Sequence, residues 1–215
     1  MTQTGEDSAG AATTLRVPDS TDRAGWESQY RSGRWDYLAD DVEAVRYQRI
    51  AAEIRERGAT SLLDLGSGTG LLYEAVGGAA YPGRYLGVDW SLTALPRPPW
   101  GAGHHWVCAD VTALPVRGRF DVVLLNEVLY YLDDAPAVVD GLFPLLTEGG
   151  ALVVSLWQPD EGRTPRWRTF VDRLNADLTA RSPVRQDLLG QDGREWRLYV
   201  LEAASAPRTT PNQIQ

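Results

Sequence analysis

Apolar residues along this chain fall into short β-prone runs separated by stretches with helical periodicity. Leu62, Leu63 and Leu65 mark the first run, over about 61–65. Others follow at about 85–88, 105–108, 121–125 and 151–156, the last an apolar run that suits a strand buried on both faces. Between the runs the period changes. Tyr47, Ile50, Ala51 and Ile54 form a helical stripe within Asp40–Arg57, and Gly58 stands where a helix C-terminal residue belongs. A helix over about 70–76 is cut short by Gly77-Gly78. Asp133 and Asp134 offer N-caps, with Pro136 in the first turn, to a helix whose apolar face is Val138, Val139, Leu142 and Leu146; Pro144 should kink or shorten it. Residues 165–178 predict a last helix. The segments 185–189 and 195–202, joined at Gln191-Asp192-Gly193, predict a hairpin on an Asp-Gly turn. Residues 91–103 hold Pro96, Pro98, Pro99 and two glycines. Proline inside a helix costs roughly 3 kcal/mol, so a shortened helix or an irregular loop is expected there.

Composition changes this picture in a few places. The 215 residues suffice for one domain with a sizeable core. Residues 1–21, rich in Thr, Ser, Ala, Asp and Gly, predict a disordered tail, and 205–215 a polar tail. That leaves 22–57 as an N-terminal segment and helix, and 58–204 as the core. A net charge of −8 without any basic run argues against nucleic acid or an anionic membrane as partner. The single cysteine excludes an internal disulfide framework and suits a reducing cytoplasm. No uninterrupted apolar stretch is long enough for a transmembrane helix, and the polar, acidic N-terminus lacks a signal-peptide layout. His104 and His105 precede a strand and read as turn or edge residues; with no third ligand at suitable spacing, no metal site is expected.

The densest chemical signal is Leu62-Leu63-Asp64-Leu65-Gly66-Ser67-Gly68-Thr69-Gly70, a strand running into a glycine turn. It is not the dinucleotide fingerprint G-x-G-x-x-G: the third glycine would fall at Leu71 or Tyr73. An acid followed by G-x-G-x-G resembles the first motif of the class I S-adenosylmethionine-dependent methyltransferases. Strand ends at Asp89, Asp110 and Asn126, and a glycine turn at Gly149-Gly150, follow in that family's order. The resemblance implies an α/β, Rossmann-like, doubly wound and mostly parallel seven-stranded sheet with a C-terminal antiparallel hairpin. It also implies S-adenosylmethionine as cofactor and S-adenosylhomocysteine as product. Carried over residue by residue, Gly66, Ser67, Gly68 and Gly70 form the loop against the methionine and ribose parts. Asp64 sits near the ammonium, directly or through water, and Asp89 accepts from the ribose hydroxyls. Trp90 packs on the adenine, Asp110 and the Val111 backbone read its edge, and Asn126 faces the methionine part.

The segment Asn126-Glu127-Val128-Leu129-Tyr130-Tyr131-Leu132 narrows the resemblance. Many small-molecule methyltransferases carry a histidine where Tyr131 stands, so that base is absent. Glu-Val-Leu-Tyr-Tyr-Leu is similar to the rhizobial nodulation N-methyltransferase (NodS-like) group, as is Gly33-Arg34-Trp35-Asp36-Tyr37. Glu127, Tyr130 and Tyr131 are the candidates to orient or deprotonate the acceptor, although both tyrosines could instead pack. Trp26, Tyr30, Trp35 and Tyr37 would form an N-terminal lid, and Trp157, with Trp167 beside it, would wall the acceptor pocket. Trp106 and Trp196 read as core. The expected function is methyl transfer to a nitrogen or oxygen of a small metabolite, a natural product or sugar-derived intermediate, by a cytoplasmic monomer or homodimer. The competing readings are a cyclase-like enzyme that binds the cofactor without methylating, and a non-catalytic cofactor-binding partner subunit.

Overall fold

The computed structural model describes residues 22–160 and 165–202. The tails expected at 1–21 and 205–215 lie outside the described residues. Seven strands form one sheet: β1 (Ser61–Leu65), β2 (Arg84–Asp89), β3 (His104–Cys108), β4 (Phe120–Asn126), β5 (Leu146–Trp157), β6 (Arg185–Gln191) and β7 (Arg194–Glu202), in the spatial order β3-β2-β1-β4-β5-β7-β6. The pairs from β3 across to β5 are parallel; β7 runs antiparallel to both β5 and β6. This is the sheet the resemblance implies. Asp192 and Gly193 both take left-handed φ values, +49° and +78°, between β6 and β7, as a two-residue hairpin turn that follows strand twist requires.

The period-two alternation of the buried strands divides the core into two layers. Leu63, Leu65, Val123, Leu125, Leu152 and Val154 point to one face, against α4 (Ala135–Leu142) and α5 (Pro165–Ala180). Leu62, Val122, Leu124, Ala151 and Val153 point to the other, against Ile50 and Ile54 of α2 (Asp41–Glu56) and Leu72 of α3 (Leu71–Ala75). Trp106 and Trp196 are buried, as read from the sequence.

The two proline-containing segments behave as expected, and other boundaries differ from the sequence reading. Residues 90–103 form turns and bends without a helix. Pro144 ends α4 at Leu142 and leaves a single 3-10 turn, Phe143–Leu145. β5 begins at Leu146, before the apolar run, because Phe120 pairs with Leu146 across a register shift in the β4–β5 ladder. A first helix, α1 (Arg23–Arg31), was not singled out by periodicity. Asp22 caps it by accepting from the Gly25 N–H at 2.8 Å, and none of its residues is fully buried. Among the described residues no helix is long and apolar enough to cross a membrane.

Candidate active site

The strand order reverses between β1 and β4: the chain steps outward to β2 and β3 on one side, then to β5 on the other. In open α/β sheets the crevice outside the carboxyl ends of the strands at such a point is where ligands bind. A cavity of about 1250 Å³ opens there. Single-ligand pockets usually run to about 300–1,000 Å³, so this one has room for a cofactor and a second molecule together.

On the β1–β2 side the glycine turn folds back on the neighbouring strand. Gly66 and Ser67 donate their N–H groups to the Val88 carbonyl at 2.7 and 3.0 Å, and Gly68 donates to Asp89 Oδ2 at 2.9 Å. Gly66 and Gly68 hold φ of +72° and +51°, which side chains with a Cβ adopt only under strain. The other Asp89 oxygen accepts from the Ser91 N–H at 2.8 Å. Burial raises the Asp89 carboxyl above its usual range. Asp64, 1 % exposed, accepts from the Tyr85 hydroxyl through Oδ2, and its Oδ1 is buried with no hydrogen-bond partner. Burial pushes this carboxyl up to about 7. Asp110 accepts from both the backbone and the hydroxyl of Thr112, at 2.8 and 2.7 Å, which fixes the turn that carries Val111.

On the β4–β5 side a buried polar network closes the cavity. Arg46 of α2 is 1 % exposed, donates to Asn126 Oδ1 at 2.8 Å and pairs with Glu43 at 2.7 Å. Ser155 lies 2.7 Å from Asn126 Oδ1 and 3.1 Å from Glu127 Oε1. Glu127 stands at φ +64°, unusual for a residue with a side chain. Its carboxyl also accepts from the Tyr130 hydroxyl and, at 3.2 Å, from the Trp157 N–H. Burial raises the Glu127 carboxyl, against the pull of the Arg46 charge. Strain concentrated at a polar, ligand-facing position is a common mark of function.

Aromatic rings roof both halves. Trp26 stacks on Trp35 with centroids 5.5 Å apart and meets Tyr131 edge-on at 4.9 Å; Tyr131 meets Tyr130 at 5.3 Å, and Tyr130 meets Trp167 at 5.5 Å. The Tyr30 hydroxyl stands 3.1 Å from where a Cβ on Gly68 would lie. Burial and the nearby Asp89 charge raise the Tyr30 phenol.

The cavity walls include every predicted site residue except Gly70: Asp64, Gly66, Ser67, Gly68, Asp89, Trp90, Asp110, Val111, Asn126, Glu127, Tyr130, Tyr131, Trp26, Tyr30, Trp35, Tyr37 and Trp157. Gly70 lies behind the wall, where its left-handed φ of +84° caps α3 and its open face abuts Pro96. Arg46, Glu43, Tyr47 and Arg194, also on the walls, were missed. A signal for the first two existed. Positions 43 and 46 continue the stripe of Ile50 and Ile54, so two charges stood on a buried helix face. His104 is buried at the start of the edge strand, bonded to Tyr73 at 2.9 Å and to the Tyr81 and Gly83 carbonyls at 3.1 Å. Among the described residues no cluster of His, Cys, Asp and Glu could hold a metal ion.

Comparison with known proteins bears on the sequence family and the fold. Residues 63–154 match the family described as methyltransferase domain. A ubiquinone biosynthesis O-methyltransferase from Bradyrhizobium sp. (strain ORS 278) is 29% identical over 120 residues, covering 54% of this chain and 47% of that one. Nodulation protein S from Sinorhizobium fredii is 28% identical over 127 residues, 55% of this chain and 58% of that one. The chain therefore spans about half the length of the curated relatives it matches. The crystal structure of the N-methyltransferase NodS from Bradyrhizobium japonicum WM9 with S-adenosyl-L-homocysteine superposes with a TM-score of 0.60 at 17% identity, over 81% of this chain and 97% of that one. The resemblance to class I methyltransferases, NodS among them, thus extends from motifs to fold.

Proposed function

We propose that this protein is an S-adenosylmethionine-dependent methyltransferase that acts on a nitrogen or oxygen of a small metabolite. The observation that carries the reading is the convergence of Asp64, Asp89 and Asp110, at the ends of three adjacent strands, around the Gly66–Gly68 turn in one cavity. These residues fit the cofactor's parts. The buried, unpartnered Oδ1 of Asp64 suits an ammonium. Each Asp89 oxygen accepts one backbone N–H and keeps a lone pair for a ribose hydroxyl. Trp90, 36 % exposed on the rim, offers a face to the adenine. Asp110 and Val111 stand beside it, and Asn126 is held by Arg46 and Ser155 toward the methionine part.

When bound, S-adenosylmethionine supplies a methyl group already activated by its sulfonium. The chain's own task is to position the acceptor and take its proton. Glu127 is our candidate for the proton. Burial raises its affinity for one, while Arg46 and the donors Tyr130, Ser155 and Trp157 keep the carboxylate form accessible. Trp26, Trp35, Tyr37, Tyr131 and Trp157 would exclude water from the acceptor and set its plane. Tyr130 is buried against Trp167 and bonded to Glu127, so its role is to hold the carboxyl. The N-terminal segment 22–57, which carries α1 and α2, is read as lid and helix, and 58–204 as the catalytic core.

The primary test is calorimetric titration with S-adenosylmethionine and S-adenosylhomocysteine, followed by a screen of amines and alcohols for methyl acceptance. Micromolar binding of both and turnover with one acceptor class would support the reading. Failure of both to bind would overturn it.

A further inference from the structure

Glu27 bonds to the turn that carries Asp89's second hydrogen bond, although nothing in the sequence sets it apart. Its carboxylate accepts from the Leu92 N–H at 2.7 Å and the Thr93 N–H at 3.1 Å, and from the Thr93 hydroxyl. The preceding amide, Ser91 N–H, is the one that Asp89 accepts at 2.8 Å. Three consecutive backbone donors are thus shared between an acid at the end of β2 and an acid on α1. Such a concave row of N–H groups binds anionic oxygens well.

This bond matters because α1 is otherwise held by rings that are only partly buried, Trp26 against Trp35 and Tyr131 and Tyr30 against Trp35. None of its residues is fully buried, and segments with few buried apolar contacts open at low free-energy cost. A further polar tie to the strand ends is Arg23, which donates to the Cys108 Sγ at 3.0 Å. One helical turn beyond Glu27, Tyr30 stands over Gly68 and close enough to Asp89 to feel its charge. We propose that Glu27 is a positioning residue: it latches α1 to the 91–93 turn, so that Tyr30 closes over the cofactor half of the cavity and the turn is held in the shape that aims Asp89. The cofactor assignment rests on the proposed function; the latch itself does not.

Glu27 presents these donors with a charged carboxylate over the physiological pH range. The Thr93 hydroxyl bond, more than any other cause, holds the Glu27 carboxyl down to about 2. Asp89 from β2 lies close enough for the two carboxylates to interact, and Arg23 and Arg31 stand four positions to either side of Glu27 along α1.

Glu27→Gln tests the proposal. It preserves shape but sets an NH2 donor against the Thr93 N–H or the Leu92 N–H, which are themselves donors. Amide hydrogen exchange is measured on the full chain without added ligand, with Ser28→Ala as a control on the same helix. In parallel, calorimetry gives the affinity for S-adenosylmethionine. The expected result is at least about tenfold faster exchange at residues 23–31 and at the amides of 92 and 93 in E27Q but not S28A, with cofactor affinity weakened about tenfold. Unchanged exchange in E27Q would overturn the latch. Faster exchange with unchanged cofactor affinity would overturn the positioning role. If the wild-type protein binds no cofactor while E27Q still loosens 23–31, the latch stands and the methyltransferase reading falls.

Discussion

The Gly68 N–H points at Asp89 Oδ2 from 2.9 Å, so the glycine turn after β1 is clipped to the acid that ends β2. Each element constrains the other. The turn needs left-handed φ values to bring this N–H round, and the carboxylate accepts it while keeping lone pairs that face the cavity. Asp89→Ala is expected to cost about 2–4 kcal/mol of cofactor affinity, since charge-assisted bonds to the ligand and the clip are lost together. Calorimetric titration measures it. A loss of under threefold would place the carboxylate elsewhere.

Asp64 predicts a pH dependence. Its folded pKa lies near 7, raised by burial from 3.8. An acid with a raised folded pKa contributes stability that is complete below the unfolded value and is lost as pH rises through the folded one. The free protein should therefore lose stability between about pH 4 and pH 7 through this group, and Asp64→Asn should flatten that slope in urea titrations. A cation beside Asp64 favours the ionised form. Cofactor affinity should therefore rise from pH 6 to pH 8 in the wild type, with proton release visible in buffers of different ionisation enthalpy. In D64N both effects should vanish.

Arg46 is the charge that the β4–β5 side is built around. Removing one partner of a buried ionic network leaves the others uncompensated, at about 3–5 kcal/mol. Arg46→Ala leaves Glu43 with Arg194 as its arginine partner, frees Asn126 and takes the compensating charge from the buried Glu127. A stability loss of that size in chemical denaturation is expected, together with a further rise of the Glu127 carboxyl.

Glu127→Gln should cut turnover at least about a hundredfold, in the range of general-base losses, with the acceptor found by screening. Cofactor affinity should change little, because Asp64, Asp89 and Asp110 lie on the other side of the cavity. Comparable loss of both would make Glu127 a structural residue.

At Gly66 a Cβ would fall 2.3 Å from Val128 Cγ2, at φ +72°. Gly66→Ala should destabilise by the left-handed strain, about 1–2 kcal/mol, plus the displacement of Val128. Val128→Ala in the same chain should recover the second part only. Thermal unfolding of the single and double variants separates the two.

Much of the fold and of one half of the site was legible in the residues. The strand runs, the glycine turn and the acids at strand ends are local features: period two, positive φ and the end of a buried strand are each decided within a few neighbours. Hence Asp64, Asp89 and Asp110 could be read in order, and the Asp192-Gly193 hairpin with them. Charged residues gave a weaker signal. Glu43 and Arg46 have the composition of a solvated helix face, and only their place on the stripe of Ile50 and Ile54 hinted that they face inward. Similarly, α1 buries nothing fully, so no apolar periodicity announced it.

The strand order along the chain and the placing of acids at the ends of β1 to β3 follow from the residues alone, because backbone preference and burial along one segment set them. How the two halves of the cavity face each other is set by packing between segments far apart in the chain. Arg46 reaches Asn126 across 80 positions, Glu27 reaches Leu92 and Thr93 across more than 60, and Trp26 meets Tyr131 across the cavity mouth. Such contacts are fixed by the packing of α1 and α2 on the strand ends, where sequence spacing carries no information about distance.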